Sequence, residues 1–407
     1  MKVTNPEMVG LSTERLARIR PVMQRHVDEG KFAGILTLIA RHGQLAHLET
    51  VGQRDLSTGQ LLTADTIFRI YSMTKPITSV AVMMLYEAGK LLLTDPVANF
   101  IPAFGNPQVF MGTGALEWRL AAAKPITIRD LLTHTAGLSY GFFADLPIEA
   151  QYQAIHNVTD FNQEPSLYPT DLSLRELVEK WARIPLVHQP GSHWRYSVAT
   201  DVLGRVVEVI TGQTLGEFFR TRIFEPLGMH DTGFQVPAHK LERFAAMYTY
   251  EPSGLREIDS SRDSPYTRSR RLESGGGGLV STAGDYWRFA QMLLNGGELA
   301  GVRLLSRKTI ELMSRNHIPT AQLPLRNGDD IFAGEGFGLG FGVVIDPAAT
   351  QLPWSLGSYY WGGAANTTFW IDPKESLIGL LMTQFMPSNT YPVNNLFRVL
   401  AYQAVVD

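Results

Sequence analysis

The sequence has no cysteine among its 407 residues. That absence excludes a thiol nucleophile, a disulfide framework and any cysteine-based zinc or iron–sulfur site. There is also no excess of basic charge, since 36 lysines and arginines stand against 39 aspartates and glutamates, a net charge of −3. Without basic groups to neutralise a phosphate backbone, we do not expect nucleic acid as a partner.

Metal-binding patterns and long apolar runs are lacking too. The ten histidines contain no His-Glu-x-x-His, and His42/His47 and His188/His193 are each five residues apart, which puts a pair on different sides of a helix. No stretch approaches the roughly 18 apolar residues that span a bilayer, and the N-terminal segment has no apolar run of signal-peptide length. We therefore expect a cytoplasmic protein that needs no metal or cofactor and does not insert into a membrane.

Strand signals occur at both ends of the chain. An amphipathic segment from Thr13 to Glu29, which Pro21 should kink, precedes a buried-strand pattern from Gly34 to Ala40 and a second strand from Leu45 to Val51. Near the other end we expect three strands and a closing helix, at Phe337 to Ile345, Asn366 to Ile371, Leu377 to Gln384 and Val393 to Val406.

Helical signals dominate the middle of the chain, from about Thr78 to Gly228. Thr127-x-x-Asp130 and Ser173-x-x-Glu176 are capping boxes that open helices. The stretch from Phe142 to Asp171 is expected to be a long irregular loop, and loops of that length are usually functional or mobile.

This order predicts an α+β fold with one antiparallel sheet built from both ends of the chain and an inserted, mainly helical domain. We expect the sheet domain to comprise residues 1–88 and 240–407, and the helical domain to comprise 89–239. The cleft between the two is the expected location of the active site.

A candidate nucleophile lies at the start of a predicted helix. Ser72 and Lys75 share one helical face, and Pro76 is tolerated in the first turn. A serine needs a proton acceptor within hydrogen-bond reach, which a lysine can supply when its neutral form is accessible. On spacing alone, a helix cap followed by a solvated lysine explains the pair better.

Two further elements favour the catalytic interpretation. Tyr196-Ser197 stands after a Pro-Gly loop and before a helix, and Trp361-Gly362-Gly363 precedes a predicted strand. Either one alone is more often a packing residue or a turn. Their occurrence in this order, each in a different predicted region, makes coincidence a poor explanation.

With these elements, the sequence resembles the serine β-lactamase and penicillin-binding-protein superfamily, and most of all its class C β-lactamase-like esterases, the family VIII carboxylesterases. The resemblance covers nearly the whole chain. The segments that carry it, in the family's order, are IFRIYSMTKPITSVAVMML, LLTHTAGLSYG, PGSHWRYSVATDVLGRVVE, PLGMHDTGF, ESGGGGLVSTAGDYWRFAQMLLNGG and WGGAANTTFWIDP.

Two departures from the lactamase pattern carry chemical meaning. Where lactamases have Tyr-x-Asn and Lys-Thr-Gly, this chain has Tyr196-Ser197-Val198 and Trp361-Gly362-Gly363. Val198 donates no hydrogen bond and Trp361 has no charge, so recognition of a β-lactam's amide side chain and carboxylate should weaken, while an uncharged ester loses little.

The resemblance implies a β-lactamase-like fold and a serine carboxylesterase acting on short-chain acyl esters, with a small-molecule ester as its partner. Ser72 would attack the carbonyl, Lys75 and Tyr196 would act as a coupled base, and the backbone N–H groups of Ser72 and Ala364 would bind the oxyanion. Candidate substrate-binding residues are Trp361, Gly362, Gly363, Tyr140 and Phe142, with Phe143 and Tyr360 as further aromatic walls.

A competing serine lies in Gly137-Leu138-Ser139-Tyr140-Gly141, which matches the Gly-x-Ser-x-Gly nucleophile elbow. That motif should follow a parallel strand, whereas here it follows a helical stretch that ends at His134. We therefore expect Ser139 not to be the nucleophile.

Two other patterns point less clearly to chemistry. The run Ser274 to Gly278 lacks the Lys-Ser/Thr of a phosphate loop, and the resemblance places it beside the cleft. The basic cluster Arg268, Arg270 and Arg271 is interpreted as solvated surface.

Two alternatives to the esterase remain open. The same fold could act on amides, as a β-lactamase, D-amino-acid peptidase or acyltransferase. It could also serve as a penicillin-binding-type module that is acylated and does not turn over.

Overall fold

A computed structural model describes residues 1–112, 119–143, 145–156, 171–328 and 330–407. In these ranges the α-helices are Thr13–Leu16 (α1), Ile19–Asp28 (α2), Thr74–Glu87 (α3), Ile128–Leu132 (α4), Glu149–His156 (α5), Leu174–Trp181 (α6), Ala199–Thr211 (α7), Leu215–Phe219 (α8), Glu225–Leu227 (α9), Ala283–Leu294 (α10), Arg307–Met313 (α11), Pro347–Thr350 (α12) and Val393–Tyr402 (α13).

The strands are Gly34–Arg41 (β1), Gln44–Asp55 (β2), Gln60–Leu61 (β3), Phe68–Arg69 (β4), Gln108–Phe110 (β5), Leu120–Ala122 (β6), Met247–Glu251 (β7), Gly254–Asp259 (β8), Val280–Ser281 (β9), Glu298–Leu299 (β10), Val302–Arg303 (β11), Leu325–Asn327 (β12), Asp330–Phe332 (β13), Glu335–Phe337 (β14), Gly342–Val344 (β15), Tyr359–Gly362 (β16), Thr368–Asp372 (β17), Leu377–Met382 (β18) and Phe385–Met386 (β19).

The largest sheet contains eight strands in the order β14-β15-β16-β17-β18-β1-β2-β3, and every neighbouring pair in it is antiparallel. β1 pairs with β18 in the register Leu36↔Met382 to Arg41↔Leu377. The two ends of the chain therefore meet in the centre of one sheet, and the predicted α+β class is confirmed.

The surroundings of strand β1 explain why most of its residues are apolar. Successive side chains point to opposite faces of a sheet, and here both faces are covered. Ile35 and Ile39 pack with the terminal helices α2 and α13. Leu36 and Leu38 belong to the larger core under α10, which continues through α3 into the helices around α7.

Pro21 breaks the predicted N-terminal helix earlier than expected. Ser12 caps α1 as the sequence suggests, but the helix stops at Leu16 and α2 starts at Ile19. Pro21 has no N–H to donate and its ring clashes with the carbonyl four residues earlier, at Ala17. The interruption therefore falls one turn before the proline.

The prediction of a single strand from Phe337 to Ile345 was wrong. This segment contributes the end of β14 and the whole of β15, paired as a hairpin with Phe337 opposite Gly342. Gly340 in the connection has φ 96°, a left-handed conformation that favours glycine. The apolar pattern is the same on both arms, so periodicity does not reveal the turn.

The expected irregular stretch from Phe142 to Asp171 contains the helix α5, so that prediction was partly wrong. Residues 144 and 157–170 of it lie outside the described ranges. Both predicted capping boxes, at Thr127 and at Ser173, are present with reciprocal hydrogen bonds.

Helices α4, α6 and α8 pack around α7, and α7 packs on α3. This arrangement brings the start of α3 and the start of α7 together, where the candidate catalytic residues lie. The division into residues 1–88 with 240–407 and 89–239 stays a prediction. No helix in the described ranges has both the length and the apolar character needed to cross a membrane.

Candidate active site

Ser72 lies in a single 3₁₀ turn, Tyr71–Met73, between β4 and α3. Tyr71 before it has φ 41°, a left-handed conformation that costs a non-glycine residue roughly 1–3 kcal/mol. Tyr71 is buried, and its hydroxyl donates to Met247 Sδ at 3.3 Å. Packing thus holds the strained residue in place, and the sharp turn presents Ser72 at the start of α3.

Lys75 lies in the first turn of α3 and its side chain is almost wholly buried, with the residue 1% exposed. Its Nζ donates to three oxygens: Ser72 Oγ at 3.2 Å, Tyr140 Oη at 2.8 Å and the Gly276 carbonyl at 2.6 Å. An ammonium group has three N–H donors, and all three are used here. No carboxylate among the described residues forms an ion pair with Lys75.

Tyr196 comes from the loop that leads into α7. Its hydroxyl donates to Ser72 Oγ at 2.7 Å, and Lys75 Nζ lies 4.7 Å from its ring centre. The structure therefore brings Ser72, Lys75 and Tyr196 together, from segments that are up to 124 residues apart. Ser72 Oγ contacts both groups, so whichever of them has lost its own proton can accept the proton of the serine.

Tyr140 has a polar contact that the sequence analysis missed. It was expected to be an apolar wall, but its hydroxyl is hydrogen-bonded to Lys75. Phe142, the next predicted wall residue, stacks on the Tyr140 ring at 5.0 Å and is 37% exposed. No local spacing signals the Tyr140–Lys75 contact, because 65 residues separate the two positions.

Ser139 is placed away from this chemistry. It is fully buried, and its Oγ accepts a hydrogen bond from Arg195 Nε at 3.0 Å. The same guanidinium binds both oxygens of Asp145 and also Glu149. Gly141 N donates to Glu149 as well, so this ion network fixes the loop on either side of Tyr140.

Charge and burial act differently on the two carboxylates of that network. Hydrogen bonding to Arg195 holds the pKa of Asp145 below its usual value. Burial raises the pKa of Glu149, and contacts with Ser139 and Arg195 oppose the rise. The network is thus a structural anchor with one buried carboxylate, Glu149, and one largely exposed carboxylate, Asp145.

His134 packs behind Tyr196, with the two ring centres 4.8 Å apart. Its Nδ1 lies 3.3 Å from Ser197 Oγ, and its φ of 54° is left-handed. Burial, reinforced by the charge of Lys75, holds the pKa of His134 well below its usual value. The imidazole is therefore neutral at pH 7 and adds no second positive charge behind Tyr196.

The segment Trp361-Gly362-Gly363 ends β16 beside the turn of Ser72. A Cβ on Gly363 would lie 2.4 Å from the Ile70 carbonyl oxygen, so only glycine permits this approach. Ala364, the next residue, packs in one cluster with Tyr71. The two backbone N–H groups predicted to bind an oxyanion thus come from adjacent segments.

An aromatic wall borders Tyr196 on the side of the sheet. The Trp361 ring lies 5.5 Å from that of Tyr196 and 5.1 Å from Phe337, and Trp194 also contacts Phe337. Phe332, on the hairpin β12–β13, extends this wall through Trp194. Sequence analysis identified Trp361 but not the other three members.

Tyr360 was suggested as a wall residue, and this was wrong. Side chains alternate along β16, so Tyr360 points away from Trp361 and packs on Trp354, with ring centres 5.1 Å apart. Its hydroxyl is hydrogen-bonded to Glu335. Phe143 is buried under the Arg195 guanidinium, 4.3 Å from ring centre to charge, and is part of the ion network's surroundings.

The glycine run that was considered for phosphate binding contributes a carbonyl group instead, since Gly276 O accepts from Lys75. In the basic cluster, Arg268 and Arg271 are exposed and pair with Asp263 and Glu176. No group of three or more metal-ligating side chains occurs in the part of the chain that the structure describes.

Comparison with known proteins gives three kinds of match. The family model described as Beta-lactamase matches residues 19–404. Esterase EstB of Burkholderia gladioli is 32% identical over 383 residues, 90% of each chain. Protein Rv1367c of Mycobacterium tuberculosis is 38% identical over 365 residues, 88% of each chain. A solved structure described as "EstCE1, a hydrolase with promiscuous acyltransferase activity" superposes with a TM-score of 0.81 at 28% identity, covering 96% of this chain and 99% of the other.

Proposed function

This chain belongs to the Beta-lactamase family and is a serine hydrolase of β-lactamase-like fold, and from this premise we propose that it acts as a carboxylesterase on short-chain acyl esters. One observation carries the proposal. Ser72 Oγ accepts from Tyr196 Oη at 2.7 Å and from Lys75 Nζ at 3.2 Å, so a nucleophile and two proton-transfer groups share one site.

In the proposed acylation step, Ser72 Oγ forms a bond to the ester carbonyl carbon while the coupled pair of Lys75 and Tyr196 takes its proton. The negative charge that develops on the carbonyl oxygen is bound by the backbone N–H groups of Ser72 and Ala364. The bond to the alcohol then breaks, and Tyr196 donates the proton to the departing alkoxide. An acyl-enzyme on Ser72 and a free alcohol result.

In the proposed deacylation step, a water molecule takes the place that the alcohol has left. The same pair accepts a proton from the water as its oxygen bonds to the acyl carbon, and the proton passes to Ser72 as the acid departs. The groups that act in the first step thus also act in the second, and each is restored.

Two features support an ester rather than a β-lactam as substrate. Val198 is fully buried and offers no polar atom to the cleft. Trp361 presents an uncharged ring beside Tyr196, where a cation would attract a substrate carboxylate. Esterase EstB, named for its ester hydrolysis, is a relative over 90% of the chain.

A second candidate, acyl transfer to an alcohol, is favoured by the aromatic wall. Trp361 is partly exposed next to Tyr196 and packs on the buried Phe337, so its ring can bind an alcohol in place of water after acylation. EstCE1 is described as a hydrolase with acyltransferase activity.

The test is turnover of p-nitrophenyl butyrate by the wild type and by Ser72→Ala, with nitrocefin as a parallel substrate. We expect ester turnover that Ser72→Ala abolishes, and little nitrocefin turnover. Adding a small alcohol should give the transferred ester if acyl transfer also occurs. A wild type that is inert to esters but opens nitrocefin, or that retains a stable acyl adduct by intact mass, contradicts the esterase proposal.

A further inference from the structure

A buried carboxylate contacts the glycine run whose Gly276 carbonyl accepts from Lys75. Asp201 is 1% exposed and lies in the first turn of α7, five residues after Tyr196. Its Oδ1 accepts from Ser274 Oγ at 2.6 Å and from Gly276 N at 3.0 Å. The positive end of the α7 dipole stabilises an anion at this position.

The peptide group between Gly276 and Gly277 and the hydroxyl of Ser274 connect this carboxylate to Lys75. Lys75 Nζ donates to the Gly276 carbonyl at 2.6 Å, and the N–H of the same peptide group, on Gly277, donates to Ser274 Oγ at 3.1 Å. Ser274 Oγ in turn donates to Asp201 Oδ1. Gly277 N also faces the Ser274 carbonyl, at the longer distance of 3.4 Å.

All three hydrogen bonds run in the same direction, from the lysine to the carboxylate. Hydrogen bonds arranged head to tail polarise one another, and a charge at either end strengthens each link. These hydrogen bonds therefore join Lys75 to Asp201 through a neutral peptide group and the hydroxyl of Ser274.

The geometry of this series of hydrogen bonds depends on a glycine. A Cβ on Gly276 would lie 2.3 Å from Asp201 Oδ2, so no other residue lets the carboxylate approach so closely. Helix α7 thus supports the site twice, because Tyr196 precedes it and Asp201 lies in its first turn.

We propose that Asp201 is a positioning residue that acts as a remote counter-charge for Lys75 through Ser274 and the Gly276–Gly277 peptide. The inference rests on the proposed function, since it assigns a role within the same catalytic group. The Gly276 carbonyl only accepts, so it fixes one N–H of Lys75 and leaves the other two directions of the amine to Ser72 and Tyr140. Asp201 holds that carbonyl in place and puts a negative charge at the far end of the hydrogen-bonded series.

The other titratable groups that face Lys75 are Tyr140, Tyr196 and His134, and burial keeps His134 neutral. Glu273, next to Ser274 in the chain, binds Gly216 N at 2.7 Å instead. A change of charge at Asp201 should therefore alter the titration of the group formed by Lys75, Tyr140 and Tyr196.

The decisive variant is Asp201→Asn, because an amide oxygen at Oδ1 still accepts from Ser274 and Gly276 while the charge is lost. Ser274→Ala removes one oxygen atom, which interrupts the series of hydrogen bonds but leaves the carboxylate of Asp201 intact. Glu208→Gln makes the same charge change elsewhere on α7, where Glu208 pairs with Arg205, and serves as the matched control.

The measurement is the pH dependence of two rates. One is kcat/KM for p-nitrophenyl butyrate, and the other is covalent labelling of Ser72 by a fluorophosphonate, followed by intact mass. Labelling requires only a reactive serine, so it reports on the relay of hydrogen bonds between Lys75 and Asp201 even if the wild type hydrolyses no carboxylic ester. A wild type that hydrolyses no ester would count against the proposed function alone.

Loss of a negative charge lowers the pKa of neighbouring groups, so the acid limb of both profiles should move to lower pH by roughly 0.5–1 unit in Asp201→Asn. Ser274→Ala should shift it in the same direction, and the double variant should go no further than Asp201→Asn. Glu208→Gln should match the wild type.

Profiles of Asp201→Asn that superpose on the wild type would overturn the proposal. So would a shift in Asp201→Asn without one in Ser274→Ala, because the charge would then act directly through space. An equal shift in Glu208→Gln would show that any charge on α7 has the same effect, which also contradicts the relay.

Discussion

Two serine-centred segments of this chain have opposite surroundings. Ser72 is partly exposed and its oxygen contacts a phenol and a buried lysine that has no carboxylate partner among the described residues. Ser139 is fully buried, and the cation beside it, Arg195, is neutralised by two carboxylates. Both serines sit in sequence patterns associated with nucleophiles. The chemistry of each serine therefore depends on whether the neighbouring cation can exchange protons, as a lysine can, or is held in an ion network, as Arg195 is.

The largest expected effect is the difference in activity between variants of the two serines. We predict that Ser72→Ala lowers kcat/KM for p-nitrophenyl butyrate about 10⁴-fold or more, as loss of a nucleophile does. Ser139→Ala should keep most of the activity and lose some stability, because Arg195 Nε loses its acceptor. Steady-state kinetics of the two purified variants, each checked by thermal unfolding, decide the matter. An inactive, folded Ser139→Ala would reverse the comparison.

The next prediction compares the removal of each cation, Arg195 and Lys75. Arg195→Met should destabilise the protein by about 3 kcal/mol, because it leaves Glu149, whose side chain is 3% exposed, without its partner. Lys75→Met should abolish activity and should destabilise the protein less than Arg195→Met does, since no carboxylate among the described residues contacts the lysine directly. Urea unfolding measures both. A large loss of stability in Lys75→Met would mean that its cation is as structural as that of Arg195.

A smaller effect is expected where the two segments touch. Tyr140 follows Ser139 in the chain, yet its hydroxyl accepts from Lys75. Tyr140→Phe removes one hydrogen bond to a charged group, worth about 1.5–3 kcal/mol, so we expect activity to fall roughly 10- to 100-fold. Phe142→Leu, which alters the ring stacked on Tyr140 but not the hydroxyl, is the control for packing. Equal losses in both variants would assign Tyr140 to the apolar wall after all.

The smallest effect concerns acid stability. Because burial holds the pKa of His134 well below 6.5, the unfolded chain binds a proton below that pH and the folded protein does not. Stability should therefore fall as pH is lowered from 7, and His134→Gln should reduce the slope by up to about 1.4 kcal/mol per pH unit. His47, His156 and His188, whose pKa values burial lowers to about 4, contribute to the slope that remains in this variant. Urea unfolding at pH 7, 6 and 5.5 measures it, and an unchanged slope in His134→Gln would contradict the prediction.

Local patterns predicted much of the fold. Capping boxes, the buried strand β1 and the position of Ser72 beside Lys75 all depend on residues within one or two turns of each other. The hairpin of β14 and β15 and the helix α5 were missed, because a short apolar segment looks the same in a strand, a hairpin arm or a brief helix.

The site contacts that sequence analysis missed share a different property. Tyr140 and Gly276 reach Lys75 across 65 and 201 residues, and Asp201 reaches Ser274 across 73. Nothing in the local sequence records such contacts, which exist only once α3, α7 and the glycine turn are packed together. Tyr196 was found only because the family's motifs recur in a fixed order.

The pairing of β1 with β18 has a consequence for synthesis of the protein. Arg41 at the end of β1 meets Glu375 next to β18, and 334 residues separate them. At about 5–20 residues per second, a ribosome needs roughly 20 to 70 seconds to make that length. During this time β1, a mostly apolar strand, lacks its neighbour β18 and presents an open edge on that side. The nascent chain is thus at its most aggregation-prone before its last strands emerge, and a chaperone that covers residues 34–41 would protect it for that interval.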